Sequence, residues 1–250
     1  MTRSINAMAV SSILCALICS SVEAGPTDSI TIGDYTWTYG YYNYGTYRDA
    51  RIMGVSPAKG DITIPDSFSQ GGKDVIVTEI VRILNYDELQ IENNELTSVT
   101  IPASVNIIRV GAFTNCTGLT TMMVLCDYFS GKEISGCRNL TNLTIGKWLN
   151  EFERNYSDSS RGGLSRVFPD SYRNIRQVAI LDSVTKIGSK AFYNFSAMTK
   201  VDIPNSVTSI GDFAFCGCRS LSSIIIPNSV TDIGLYAFNE AGLECVTLQG

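Results

Sequence analysis

Ile-Pro occurs at Ile203-Pro204 and again 23 residues later at Ile226-Pro227, inside two stretches that nearly repeat each other. From Met198 the chain reads MTKVDIPNSVTSIGDFAFCGCRS, and from Leu221 it reads LSSIIIPNSVTDIGLYAFNEAG. A third stretch, LTSVTIPASVNIIRVGAFTNCTG, begins at Leu96. Starts at Leu96, Leu119, Leu140, Ile175, Met198, Leu221 and Leu243 are separated by 23, 21, 35, 23, 23 and 22 residues, the long step being one period plus an insertion of 12. A fixed period of this length restricts the chain to stacked supersecondary units, because a single unit cannot cover its own apolar face.

Within one repeat, apolar residues fall at positions 1, 4, 6, 10, 13 and 18, with Pro at 7, Gly at 14, Ala at 17 and often Cys at 21. That is not the 3.6-residue pattern of a helix. Ile224 and Ile226 alternate with small or outward neighbours, as in a strand with one buried face, and Pro227 ends the strand by withholding an amide donor. Val230–Ile233 reads as a second short strand. Tyr236-Ala237-Phe238 reads as a tight helical or 3-10 turn that drops Phe238 into the core. Gly234 and its equivalent Gly211 read as a bend, where a β-branched side chain is costly if the backbone has positive φ; Arg109 at the equivalent place points instead to ordinary dihedrals. The expected fold is therefore mainly β: a solenoid of ~23-residue coils with parallel strands and short helical or 3-10 turns.

The phrases IPNSVTSIGDFAFCGC and IPNSVTDIGLYAF resemble the leucine-rich repeats of BspA-like bacterial surface proteins, and the likeness runs from about Asp61 to the end of the chain. From Val167, VFPDSYRNIRQVAILDSVTKIGSKAF is similar to an irregular repeat of that family, with Phe168 standing for the usual Ala-Phe and Leu181 for Pro. Arg109 departs from the pattern at the glycine position, and the coil from Leu119 is two residues short. The resemblance implies a leucine-rich-repeat scaffold that adheres to host or neighbouring-cell proteins.

Residues 1–24 read as a secretory signal: Arg3, an apolar stretch around Ala7–Ile18, then Val22-Glu23-Ala24 before Gly25. The apolar run is too short for a membrane span, which needs about 20 residues, and Ala16-Leu17-Ile18-Cys19 lacks the small residue a lipoprotein signal wants. A secreted or cell-surface location follows, with no membrane span in the mature chain. Residues 25–60 are expected to form an aromatic β cap and residues 61–250 the solenoid, with a hairpin detour near 69–76 at Gly71-Gly72 and a loop insertion at 151–166. Trp37, Tyr39 and Tyr41 admit two readings: they shield the open end of the stack, or they form a stacking platform for a glycan. At the other end the last repeat starts at Leu243 and stops at Gly250, so either the chain continues in a longer product or its edge is bare. On the first alternative the repeats would serve as a stalk for a further domain.

The chain has no histidine and a net charge of −5 without a block of like charges, which disfavours standard triads, imidazole metal sites and nucleic-acid partners. Of the six cysteines after the signal, Cys116, Cys137 and Cys218 share a repeat position that Phe195 fills elsewhere, so buried thiols are favoured over disulfides. Cys216-Gly217-Cys218 is not CxxC, and zinc would need four thiolates converging from distant coils. Asp87, Glu88, Glu92 and Glu95 form the densest acidic group and read as solvated loop charges rather than a hydrolase pair. Gly162-Gly163 reads as a flexible loop, since no P-loop lysine or GxGxxG spacing accompanies it. Asn-x-Ser/Thr sites at Asn115, Asn139, Asn142, Asn155 and Asn194 would matter only in a eukaryotic secretory pathway. No catalytic, metal or cofactor site is therefore expected.

What remains is surface. Outward strand positions should form ladders, and the candidate partner-binding residues are Thr100, Met123, Thr144, Arg176, Lys200, Asp202 and Ile225. An extracellular or host-surface protein is the expected partner, and a glycan is the alternative.

Overall fold

The computed structural model describes residues 27–41, 49–81, 93–109, 111–127, 134–147, 149 and 163–249. The signal segment, Asp87, Glu88, Glu92, Asn155 and Gly162 lie outside these residues. The chain begins with β1 (Thr27–Ile32), β2 (Tyr35–Tyr41) and β3 (Asp49–Ser56). It continues through β4 (Gly60–Thr63), β5 (Ser67–Gln70), β6 (Lys73–Ile80), β7 (Leu96–Ile101), β8 (Ile107–Ile108), β9 (Thr121–Val124), β10 (Asn142–Ile145) and β11 (Gln177–Ile180). The last coils carry β12 (Lys186–Ile187), β13 (Lys200–Asp202), β14 (Ser209–Ile210), β15 (Ser223–Ile226), β16 (Asp232–Ile233) and β17 (Cys245–Leu248).

Two parallel ladders run along the stack. The first has the order β13-β11-β10-β9-β7-β4, and β15 pairs with β17 farther along. The second is formed by the short strands at repeat positions 12 and 13: β12-β14-β16 in the later coils, and β6-β8 in the earlier ones. Between the ladders lies one continuous core, in which equivalent residues of successive coils stack on one another. The rings of Phe192, Phe215 and Phe238 show this directly, lying nearly parallel with centroids 5.2 and 5.4 Å apart. Such a column exists because backbone hydrogen bonding holds neighbouring coils about 4.8 Å apart, close to the spacing of stacked rings.

The expected helical or 3-10 turn before each phenylalanine is a different object. Lys190, Phe192 and Asn194 send their amides to the next coil, at the carbonyls of Asp212, Ala214 and Cys216, while Ala191, Tyr193 and Phe195 bond three residues back. Phe213, Phe215 and Gly217 repeat the arrangement onto Leu235, Ala237 and Asn239. Half of the turn's amides thus serve the stack, which a continuous helix would forbid. The alternation requires left-handed residues at repeat positions 16 and 20: Lys190, Phe213 and Tyr236 (φ 59, 55 and 56°), then Asn194, Gly217 and Glu240 (φ 60, 74 and 54°).

Of the two readings of the Gly211 bend, the one without positive φ holds, since the left-handed residues are those two to six places later. A β-carbon on Gly211 would lie 2.5 Å from the Ser189 amide nitrogen and 2.8 Å from the Gly188 carbonyl carbon. Close approach of the preceding coil therefore excludes a side chain there. Arg109, in the equivalent place, reaches away to pair with Glu79, whose side chain is 1% exposed.

At the first end, β5 and β6 form an antiparallel hairpin through Gly71 and Gly72, both with positive φ. The β1-β2-β3 sheet joins β6 through a parallel β3–β6 pair, extending the second ladder outward. The last residues of the expected 151–166 insertion belong to the stack rather than to a loop: Gly163–Ser165 is a 3-10 turn, Gly163 and Leu164 are buried, and the Leu164 amide bonds to the Ala191 carbonyl. At the far edge, Ile233, Val246 and Leu248 occupy inward positions and are 50, 50 and 71% exposed.

Candidate functional site

Alternation in the first ladder turns every second residue outward, and parallel register then sets those residues in straight rows. Thr63, Thr100, Met123, Thr144, Ala179 and Asp202 stand side by side on consecutive strands, and Ile225 pairs with Thr247 farther along. A neighbouring row runs Asp61, Ser98, Thr121, Asn142, Gln177 and Lys200. Of the seven candidate residues, Arg176, Lys200, Asp202 and Ile225 are exposed, and Thr100, Met123 and Thr144 are half-buried among their neighbours. The structure therefore brings the sequence-selected residues onto one surface.

That surface is electrically uneven. Charge gathers at the Arg176, Lys200 and Asp202 corner, where Lys200 Nζ lies 3.0 Å from Asp202 Oδ2 and both side chains are 62% exposed. Such a pair contributes little to stability. Between Asp61 and that corner the two rows carry hydroxyls, amides, one thioether and a methyl group, which suit shape-complementary contact with another protein better than capture of an anion.

A further row is less available than it looked. The Thr120 hydroxyl donates to the Thr97 carbonyl at 3.2 Å, Thr141 to Thr120 at 3.3 Å, and Thr199 to Arg176 at 3.2 Å. On the second ladder Thr208 and Thr231 do the same, and the Ser206 and Ser229 hydroxyls reach the Val184 and Val207 carbonyls at 2.7 Å. These hydroxyls tie each coil to the one before it, at about 1 kcal/mol apiece. A sequence signal for this exists in the recurrence of Ser or Thr at single repeat positions, but composition alone reads it as solubility.

The candidate glycan platform is corrected. Trp37 and Tyr39 are 1% and 0% exposed, and Tyr39 packs on Phe68 with ring centroids 4.6 Å apart. Tyr41 is half-buried, edge-on to Tyr39. Trp37 and Tyr39 close the core and have no face left for a sugar, which leaves the half-buried Tyr41 without the stacked platform the reading needs. The nearby hydroxyl of Tyr35 lies 3.2 and 3.1 Å from the Lys59 and Asp61 carbonyls, beside an open cleft lined by Asp34, Pro57, Lys59 and Glu95.

The cysteines behave as thiols. None of the six described cysteines is bridged in this structure, and five of them are buried. Cys137 donates to the Phe113 carbonyl at 3.0 Å and Cys218 to that of Phe192 at 3.2 Å. Burial pushes the Cys218 thiol up to about 12, so it stays protonated at neutral pH. Among the described residues no three Cys, Asp or Glu side chains converge as a metal site would require, and no helix is long and apolar enough to cross a membrane.

Comparison with known proteins adds to this geometry. Residues 80–161 and 165–250 match the model of a BspA type leucine rich repeat region, in six copies. No curated protein matches the chain. Among solved structures the chain is similar to a leucine rich cell surface protein from Faecalibacterium prausnitzii, at 24% identity over 90% of this chain and 55% of that one, with a TM-score of 0.42. It is also similar to the pneumococcal vaccine antigen PcpA, at 16% identity over 89% and 50% of the two chains and a TM-score of 0.40. A leucine-rich repeat protein from Bacteroides ovatus shares 15% identity over 87% and 94%, with a TM-score of 0.29. The chain spans about half the length of the first two.

Proposed function

The chain belongs to the BspA-type leucine-rich-repeat family, and from that premise we propose that it is a non-enzymatic protein-binding scaffold acting outside the cell. The outer face of the first ladder is its contact surface. One observation carries the reading: across six consecutive strands the rows containing Thr100, Met123, Thr144, Lys200 and Asp202 are aligned, while the adjoining Thr120, Thr141 and Thr199 hydroxyls are engaged by the stack. A repeated, rigid and mostly uncharged face is what an extended partner surface needs, because little order is lost when it binds. The charged corner and the exposed Ile225 supply orientation and an apolar contact at one end.

The test uses purified residues 25–250 against an array of extracellular-matrix and cell-surface proteins. A bound protein should be lost at least tenfold in affinity on Met123→Glu with Thr144→Arg, and again on Ile225→Glu, with the melting temperature held within a degree or two. Binding that survives all three changes overturns this face as the site. Export is checked by fractionating cells that produce the full chain, where the mature N-terminus should be Gly25. A product found only in the cytoplasm overturns the extracellular reading.

A further inference from the structure

The thiols of Cys116 and Cys137 differ from the other cysteines in one respect: they are the same repeat position on two successive coils. Their equivalence is visible in the backbone, since the Cys116, Cys137 and Cys218 amides bond to the carbonyls of Phe113, Ile134 and Phe215, each three residues back. The coils are also in step. The Asn115 amide bonds to the Ser135 carbonyl at 2.8 Å, and a β-carbon on Gly136 would stand 3.3 Å from the Asn115 Cα. Cys218 is flanked at the same position by Phe195 and Ala241 and has no such neighbour.

We propose that Cys116 and Cys137 form an inter-coil disulfide when the chain folds in an oxidising compartment. A disulfide needs Cα atoms about 4.4–6.8 Å and Cβ atoms about 3.5–4.5 Å apart; residues in register on coils stacked at about 4.8 Å meet the first, and a shift of a few tenths of an ångström between the coils meets the second. The Cys137 thiol already reaches into the neighbouring coil, where it donates to the Phe113 carbonyl at 3.0 Å, and the Cys116 thiol beside it is held above its ordinary range by that neighbour and by burial. Their place in the stack gives the link a structural use. Ile134 interrupts the phenylalanine column formed elsewhere by Phe113, Phe192 and Phe215, and the coil from Leu119 is two residues short. A covalent tie here would join coils at the point where aromatic stacking is missing.

The oxidant is a disulfide, RSSR, either a small molecule or an oxidase. The Cys137 thiolate attacks one sulfur of RSSR to give a mixed disulfide and release RS⁻. The Cys116 thiolate then attacks the Cys137 sulfur and expels the second RS⁻. The two protein thiol protons end on the two RSH products, and two electrons pass from the protein to RSSR. Because the side chains are 0% and 1% exposed in the folded stack, exchange precedes closure of the neighbouring coils.

The location of the disulfide rests on the extracellular reading, but its chemistry is tested without it. Unfolded, reduced residues 25–250 are refolded in a mixture of oxidised and reduced glutathione, alkylated and digested without reductant. The expected result is one peptide pair joined through Cys116 and Cys137, two fewer titratable thiols, and a melting temperature that falls when dithiothreitol is added. In Cys137→Ala the reductant should no longer move the melting temperature. Six free thiols in the refolded wild type, or a disulfide between other cysteines, overturns the proposal whether or not the variant folds. Failure of export with the cross-link present would overturn only the extracellular reading.

Discussion

A β-carbon at Gly211 would sit 2.5 Å from the Ser189 amide nitrogen, inside the backbone of the preceding coil. Gly211→Ala is therefore expected to cost about 2–3 kcal/mol by overpacking, and Val more. Gly71 is the control. It has φ +57° and open space around it, so Gly71→Ala should cost only about 1 kcal/mol of dihedral strain. Urea denaturation of the two variants measures both, and equal costs would show that close approach is not what holds the glycine. At Cys218 the Phe192 carbonyl within 3.2 Å offers a partner to a hydroxyl as well as to a thiol. Cys218→Ser should then lose about 1 kcal/mol, and Cys218→Ala as much or more, because Ala forfeits the hydrogen bond along with the sulfur's packing. The reverse order would be expected if a hydroxyl there had no partner, and the same denaturation experiment separates the two.

The elements at the first end depend on aromatic packing. Trp37 and Tyr39 lie in the same core as Ile62, Val77 and Phe68, so β2 is held to the solenoid by the rings and by pairing with β3. Trp37→Ala should cost about 3–5 kcal/mol, the usual range for emptying a buried aromatic site. Tyr41, half-buried at the edge, should cost far less on the same change. Thermal unfolding of each variant distinguishes this from a surface platform, whose loss would leave the melting temperature unchanged. Alternation from Tyr35 to Tyr41 is readable as a strand with one buried face, but not which rings it would bury. That depended on β3, which pairs with β2 on one side and β6 on the other and so turns Trp37 into the core and Tyr39 onto Phe68.

A solenoid is stabilised coil by coil through its neighbours, so protection should vary along the chain. In residues 25–250 taken alone, amides of β10 and β11, covered on both sides, should exchange at least tenfold more slowly than those of β16 and β17, where Ile233, Val246 and Leu248 are half or more exposed. Hydrogen exchange read by mass spectrometry tests this, and uniform protection would mean that the molecule opens only as a whole. The period, the inward Ile, Leu and Phe positions and the parallel solenoid were all legible in the amino-acid order, because each coil repeats the same local solution and burial demands the same residue types at the same places. Other features arise only between coils. The glycine at position 14 is required by the backbone of another coil 23 residues away. The serine and threonine rows are consumed by a neighbour's carbonyls, and the turns send half their amides out of their own coil. A single repeat contains no trace of these distances, since they exist only once two copies are stacked in register.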